Sequence, residues 1–297
     1  MVAYETGSKS SLRAVLVLGP ALVIFVFGLA GFAPMPQDSA YHQFADQRVF
    51  YGVPHFWNVL SNVPFAVVGL LGCWWVLRYG RTRPAFEAPH ERVAYLVFFA
   101  GELLTCFGSG YYHSGPSNAT LVWDRLVFSL MLTSMFAIVV TEFVDRRVGR
   151  FMLAPIVSLG LVSVLYWWYT EAAGRGDVRV YALVQFYPVV AMPVIFLLCR
   201  SRYTHARLFS LMWVFYAIAK AAETYDREIF AWSGVVSGHT LKHFVAACAS
   251  YVPLYALQRR MPLGTALPTS TSAPATIVDA PMTRGAADGS ARSRLTV

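Results

Sequence analysis

LVWDRLVFSLMLTSMFAIVV, residues 121–140, is the stretch on which the fold turns. Its only charged residues are the neighbours Asp124 and Arg125, near the start. At about 1.5 Å per residue, a helix of this length matches the roughly 30 Å hydrocarbon core of a bilayer. Working outward, comparable apolar runs cover 15–32, 58–77, 93–112, 151–169, 180–199, 208–225 and 239–257. The reading is therefore eight transmembrane helices. The chain of 297 residues is 57% hydrophobic and 13% charged, too few charges to cover a soluble domain of that size. Short connections make it one bundle. The expected fold class is all-α: a polytopic transmembrane helical bundle, with a seven-helix core and one extra N-terminal span. The expected divisions are 1–54 (first helix and external loop), 55–260 (membrane core) and 261–297 (a Pro-, Ala-, Ser- and Thr-rich disordered cytoplasmic tail).

The formal charge of +8 could suggest nucleic acid, but its distribution is topological and excludes that partner. If the N-terminus is cytoplasmic, alternation puts Lys9, Arg13, Arg78, Arg81, Arg83, Arg92, Arg146, Arg147, Arg150, Arg200, Arg202, Arg207, Arg259 and Arg260 on the cytoplasmic side. The other side receives Arg48, Arg175, Arg179 and Arg227. The bias is in the direction the positive-inside rule requires, and places both termini in the cytoplasm. The first span could also be a signal anchor or a cleaved signal peptide, although its apolar stretch is long and the site near Ala33 matches poorly. Cys73, Cys106, Cys199 and Cys248 all fall within expected spans, which predicts packed thiols and no disulfide framework.

Ionisable groups inside spans are costly and face a bundle interior or a wet pocket. The third span carries Glu102, Ser109 and His113, whose separations of seven and eleven residues return to one helical face. Asp124 opens the fourth span, and His239 and His243 open the eighth. Topology puts Ser109, His113, Asp124, His239 and His243 at one depth, toward the non-cytoplasmic side. His239 and His243, four apart, project from one face, and His113 adds a third nitrogen. Three histidines with one open position form a catalytic zinc arrangement. Zinc brings the pKa of a coordinated water toward neutrality. Asp124 is then the proton-handling group, and Ser109 a donor to an oxyanion.

Structural roles compete with these at each position. A His-x-x-x-His pair can make interhelical hydrogen bonds, and Ser109 within Gly108-Ser109-Gly110 can be a small packing residue. Asp124 can cap a helix start or pair with Arg125. Lys220 and Glu223, three apart, read as a structural ion pair. Glu102 divides between a partner of the metal ligands and a neutral buried acid. The coincidence of metal ligands at one depth favours the functional reading.

At these residues the chain resembles the alkaline ceramidase family, within the seven-helix membrane hydrolases that include the progestin and adipoQ receptors. The resemblance runs from about His55 to Tyr255. It is carried by His55-Phe56-Trp57-Asn58 with Ser61-Asn62, Ser109-x-x-x-His113, Trp123-Asp124-Arg125 and His239-x-x-x-His243. It implies zinc on His113, His239 and His243, with Asp124 and Ser109 assisting hydrolysis of the ceramide amide. Eukaryotic alkaline ceramidases also have acidic calcium ligands before the first core helix, including a glutamate just before Phe-Trp-Asn. That position here is His55, with only Asp38 and Asp46 nearby, so the resemblance gives calcium no matching site.

The expectation is a zinc-dependent intramembrane hydrolase whose substrate is a lipid, ceramide or a similar N-acyl lipid. A receptor-like protein retaining the metal site is the alternative. Transport ranks last, because the strongly polar intramembrane groups gather in one half of the membrane, Glu102 apart.

Overall fold

A computed structural model describes residues 6–263. The helices are α1 (Thr6–Gly31), α2 (Phe56–Leu60), α3 (Val63–Tyr79), α4 (Pro89–Ser114), α5 (Asn118–Val139), α6 (Arg146–Ala172), α7 (Arg179–Leu198), α8 (Phe209–Thr224), α9 (Asp226–Ser233) and α10 (Gly238–Arg259). Five helical segments are long and apolar enough to cross a membrane: Phe56–Tyr79, Pro89–Ser114, Asn118–Val144, Arg146–Ala172 and Arg179–Leu198. The chain is thus an all-α, multi-pass membrane bundle. The seventh and eighth expected spans are also helical, as α8 and α10, but α8 has only 16 residues, and both carry charged side chains. The tail expected over 261–297 lies, beyond Leu263, outside the described residues.

Sequence explains the main boundaries. Ser117 starts α5 with a capping box shared with Thr120, and Asp145 caps α6 by accepting from the Val148 N–H. Ser237 caps α10 through the Thr240 N–H. Glycines set the close approaches. A Cβ on Gly108 would come within 2.7 Å of the Trp123 carbonyl oxygen, so α4 and α5 can meet there only with glycine. That approach brings Ser109 of α4 next to Asp124 of α5. The core between the helices is aromatic, with Phe98, Phe99 and Phe136 fully buried. The four cysteines are free, as expected.

One expectation is corrected. Strongly polar groups do not keep to one half of the bundle. After Val139 the fifth helix continues as a π-helical turn, Val140–Val144, which turns Glu142 into the interior. There it pairs with Arg260, the two side chains being 2% and 1% exposed, and accepts from the Tyr95 hydroxyl at 2.8 Å. Glu142 lies just past the apolar run and reads as a loop residue in the sequence. This cluster sits at the end of the bundle opposite His113, with Phe98 and Phe99 between them on α4.

Candidate metal centre

His113 lies in the last turn of α4, and His239 and His243 lie in the first two turns of α10. All three are buried, at 2%, 6% and 4% exposure. One ring nitrogen from each falls within 4.8 Å of the others, and the Nε2 atoms of His113 and His239 are 3.3 Å apart. Ligands held tetrahedrally at about 2.0–2.1 Å from zinc lie about 3.3 Å from one another, so this spacing fits a shared ion. The cluster is capable of coordinating a metal, with donors suited to zinc.

The surroundings set one tautomer. Ser61 Oγ donates to the Asn58 carbonyl at 3.0 Å and lies 2.8 Å from Nδ1 of His243. With its proton committed to Asn58, Ser61 accepts from Nδ1–H, which leaves Nε2 of His243 free to ligate. Asn58 is held in turn by the Thr240 hydroxyl, which donates to its Oδ1 at 2.8 Å. Ser61→Ala is expected to weaken metal binding about 10–100-fold, read by chelator competition. Unchanged affinity would show that this partner does not orient the ligand.

Asp124 is half-buried and hydrogen-bonds Ser109. Neither competing role for Asp124 is taken up. Ser117 caps α5, and among the described residues no ion pair joins Asp124 to Arg125. The Arg125 guanidinium stacks instead over Trp167 at 4.0 Å and Tyr181 at 4.5 Å, and donates to Gln37. Lys220 and Glu223 do form an ion pair, at 2.7 Å, and Lys242 joins it from α10 at 2.5 Å. Glu102 does not join the histidines. It is fully buried beside Ser250, about 16 Å along α4 from His113.

The loop between α1 and α2 supplies a cover that the sequence does not announce. Phe44 is buried with its ring centroid 4.7 Å from that of His113 and 4.5 Å from that of His239. Its loop is fastened on both sides. His42 bridges the Tyr112 hydroxyl and Asn118 Oδ1, each at 2.9 Å. Asp226 accepts from the Ala45 N–H at 2.9 Å through one oxygen and from the His239 N–H at 2.7 Å through the other. Asp46 pairs with Arg48 at 2.7 Å; burial opposes its charge, but the Arg48 hydrogen bonds outweigh burial and hold the carboxyl below its ordinary range. An aromatic ring thus packs against two of the three imidazoles.

Among the residues that sequence reasoning left without a role, Asn58 and Ser61 stand in a quoted motif, and Asp226 ends a span. Phe44 has no periodic or motif signal at all. No family model matches the chain, and no curated protein matches it.

Proposed function

We propose that this protein is a zinc-dependent intramembrane hydrolase of the alkaline ceramidase kind, cleaving the amide bond of ceramide or a similar N-acyl lipid. The observation that carries the reading is the convergence of three buried imidazoles, one of them a single turn from Ser109, which hydrogen-bonds Asp124. His113, His239 and His243 would hold the metal. Zinc bound there supplies a Lewis acid and acidifies water. Asp124 takes a proton from the attacking water and returns it to the departing amine. Ser109, one turn before His113, donates to the oxygen that gains charge as the carbonyl is attacked. Phe44 keeps bulk water from the reacting groups.

Substrate access is lateral in this reading. α8 packs mainly on α10 and touches α7 only slightly, while α7 packs on α1, α5 and α6. The proposed entry route lies where α7 and α8 touch least. Between the histidines and the Glu142–Arg260 pair, α4 carries the buried apolar Phe98 and Phe99 with Glu102 as the one buried acid, which speaks against ion transport.

The proposed topology has eight spans, both termini cytoplasmic, and the metal site toward the non-cytoplasmic side. The charge asymmetry of the loops supports it. Reporter fusions after Arg260 should be active only as cytoplasmic reporters, and fusions near Arg175 only as external ones. The opposite pattern inverts the site's orientation.

Activity is tested directly. Purified protein should release fatty acid from a fluorescent N-acyl lipid, lose that turnover to a chelator and regain it with zinc. Turnover that survives complete metal removal would sink the metal-dependent mechanism. No turnover, with zinc bound, would put the receptor-like reading ahead.

A further inference from the structure

On the far face of α10 from the histidines lies an apolar groove of about 640 Å³. α10 forms its floor with Phe244, Cys248 and Tyr255, while Val67 of α3 and Leu208 and Leu211 at the start of α8 form its walls. The groove runs from the turn that carries His243 to the last turn of α10. From Phe244 to Tyr255 this is about 16 Å of helix, close to the roughly 15 Å hydrocarbon depth of one leaflet.

Its far mouth is cationic. Arg259 is exposed, with its guanidinium 3.7 Å above the Tyr255 ring. Arg207, next to the lining residue Leu208, is also exposed. Short antiparallel pairing of Tyr203 with Pro262, and the Thr204 N–H to Met261 carbonyl bond of 2.9 Å, bring the two segments to the same end of the bundle. Among the described residues neither arginine has a carboxylate partner. An apolar trough one leaflet deep, with two exposed guanidinium groups next to its lining residues and no carboxylate on either, matches one kind of molecule. Its tail is an acyl chain and its head is an anion at the membrane surface.

We propose that this groove is a binding site for an anionic phospholipid of the leaflet opposite the histidines. The phosphate sits at Arg207 and Arg259, and one acyl chain lies along α10 toward Phe244. The phosphate end lies at the opposite end of α10 from the metal centre, and binding there has no need of its chemistry. A lipid without a phosphate fills the trough but leaves the two cations without a partner, and a zwitterionic one offers them a phosphate whose charge its own ammonium offsets. A helix of another protein would cover the trough and offer no phosphate.

The test is lipid retention by the full chain in native mass spectrometry, with phosphatidylglycerol and phosphatidylcholine of matched acyl chains as probes. Phosphatidylglycerol should be retained in preference. Arg207→Gln and Arg259→Gln should each lower its affinity about fivefold, and together about 25-fold, with a smaller effect on phosphatidylcholine, whose headgroup has no net charge. Cys248→Trp, which fills the trough from an exposed position, should displace both lipids. Monodisperse elution and unchanged helical content identify variants that fold. Equal retention of the two lipids by the unmutated chain would overturn the proposal. So would a Cys248→Trp protein that holds phosphatidylglycerol as before, since that binding would be a surface charge effect. A second copy of the chain that covers Cys248 and excludes both lipids overturns it as well.

Discussion

Alanine at His113, His239 or His243 is expected to drop bound zinc from about one per chain to well below that, measured by elemental analysis of purified protein. The size of the effect follows from ligand count. Three protein nitrogens are the minimum for such a site, and two leave the ion to water. The histidines are not equivalent in their support. His243 is oriented through Nδ1 by Ser61, and His239 through its backbone by Asp226, whereas His113 Nδ1 has no hydrogen-bond partner. His113 is positioned by α4 and by packing against Phe44, Tyr112 and the other two imidazoles. Full occupancy in all three variants would remove the ligand assignment.

Asp124→Asn should separate metal binding from chemistry. The amide keeps the volume and the hydrogen bond to Ser109 but cannot carry a proton at ordinary pH. Zinc should stay bound while amide hydrolysis falls by about 10²–10⁴, the usual contribution of a general acid–base group. Ser109→Ala should also keep zinc and lose roughly 10²–10³ at most, as one oxyanion donor. The structure sharpens this test, because Arg125 is engaged by Trp167, Tyr181 and Gln37 rather than by Asp124. Removing the Asp124 charge therefore strands no ion-pair partner. Loss of zinc from Asp124→Asn would make it a ligand or an anchor of one. Retention of both metal and full rate would leave Asp124 a structural residue.

The bundle was legible because lipid-facing helices declare themselves by composition, and five of the expected spans coincide with long apolar helices. The histidines were legible because a spacing of four puts two ligands on one face and a shared depth brings in the third. Other features carry no such signal. Glu142 reads as loop because hydropathy cannot foresee a π-helical turn that rotates it inward. Ser61 and Asn58 show their purpose only once α2 is folded against α10. The short helix α9 and the placement of Phe44 depend on loop closure, which has no period to read. The groove along α10 arises from the shape left between α3 and α8, a property of three helices together.

The divided carboxylate of Asp226 has a mechanical consequence. One oxygen holds the backbone beside Phe44, and the other holds the first turn of the helix that carries two of the three clustered histidines. A rigid group gripping both parts makes them move together. Lifting Phe44 would then pull on His239, and an ion that fixed His239 would hold Phe44 down. Such couplings are reciprocal: if opening weakens the ion tenfold, the ion disfavours opening tenfold, about 1.4 kcal/mol. A charge-assisted hydrogen bond is worth about that much. Chelation would then do more than take away a reagent. It would unfasten a clasp, and the amides around Ala45 should exchange with solvent about tenfold faster in the metal-free protein.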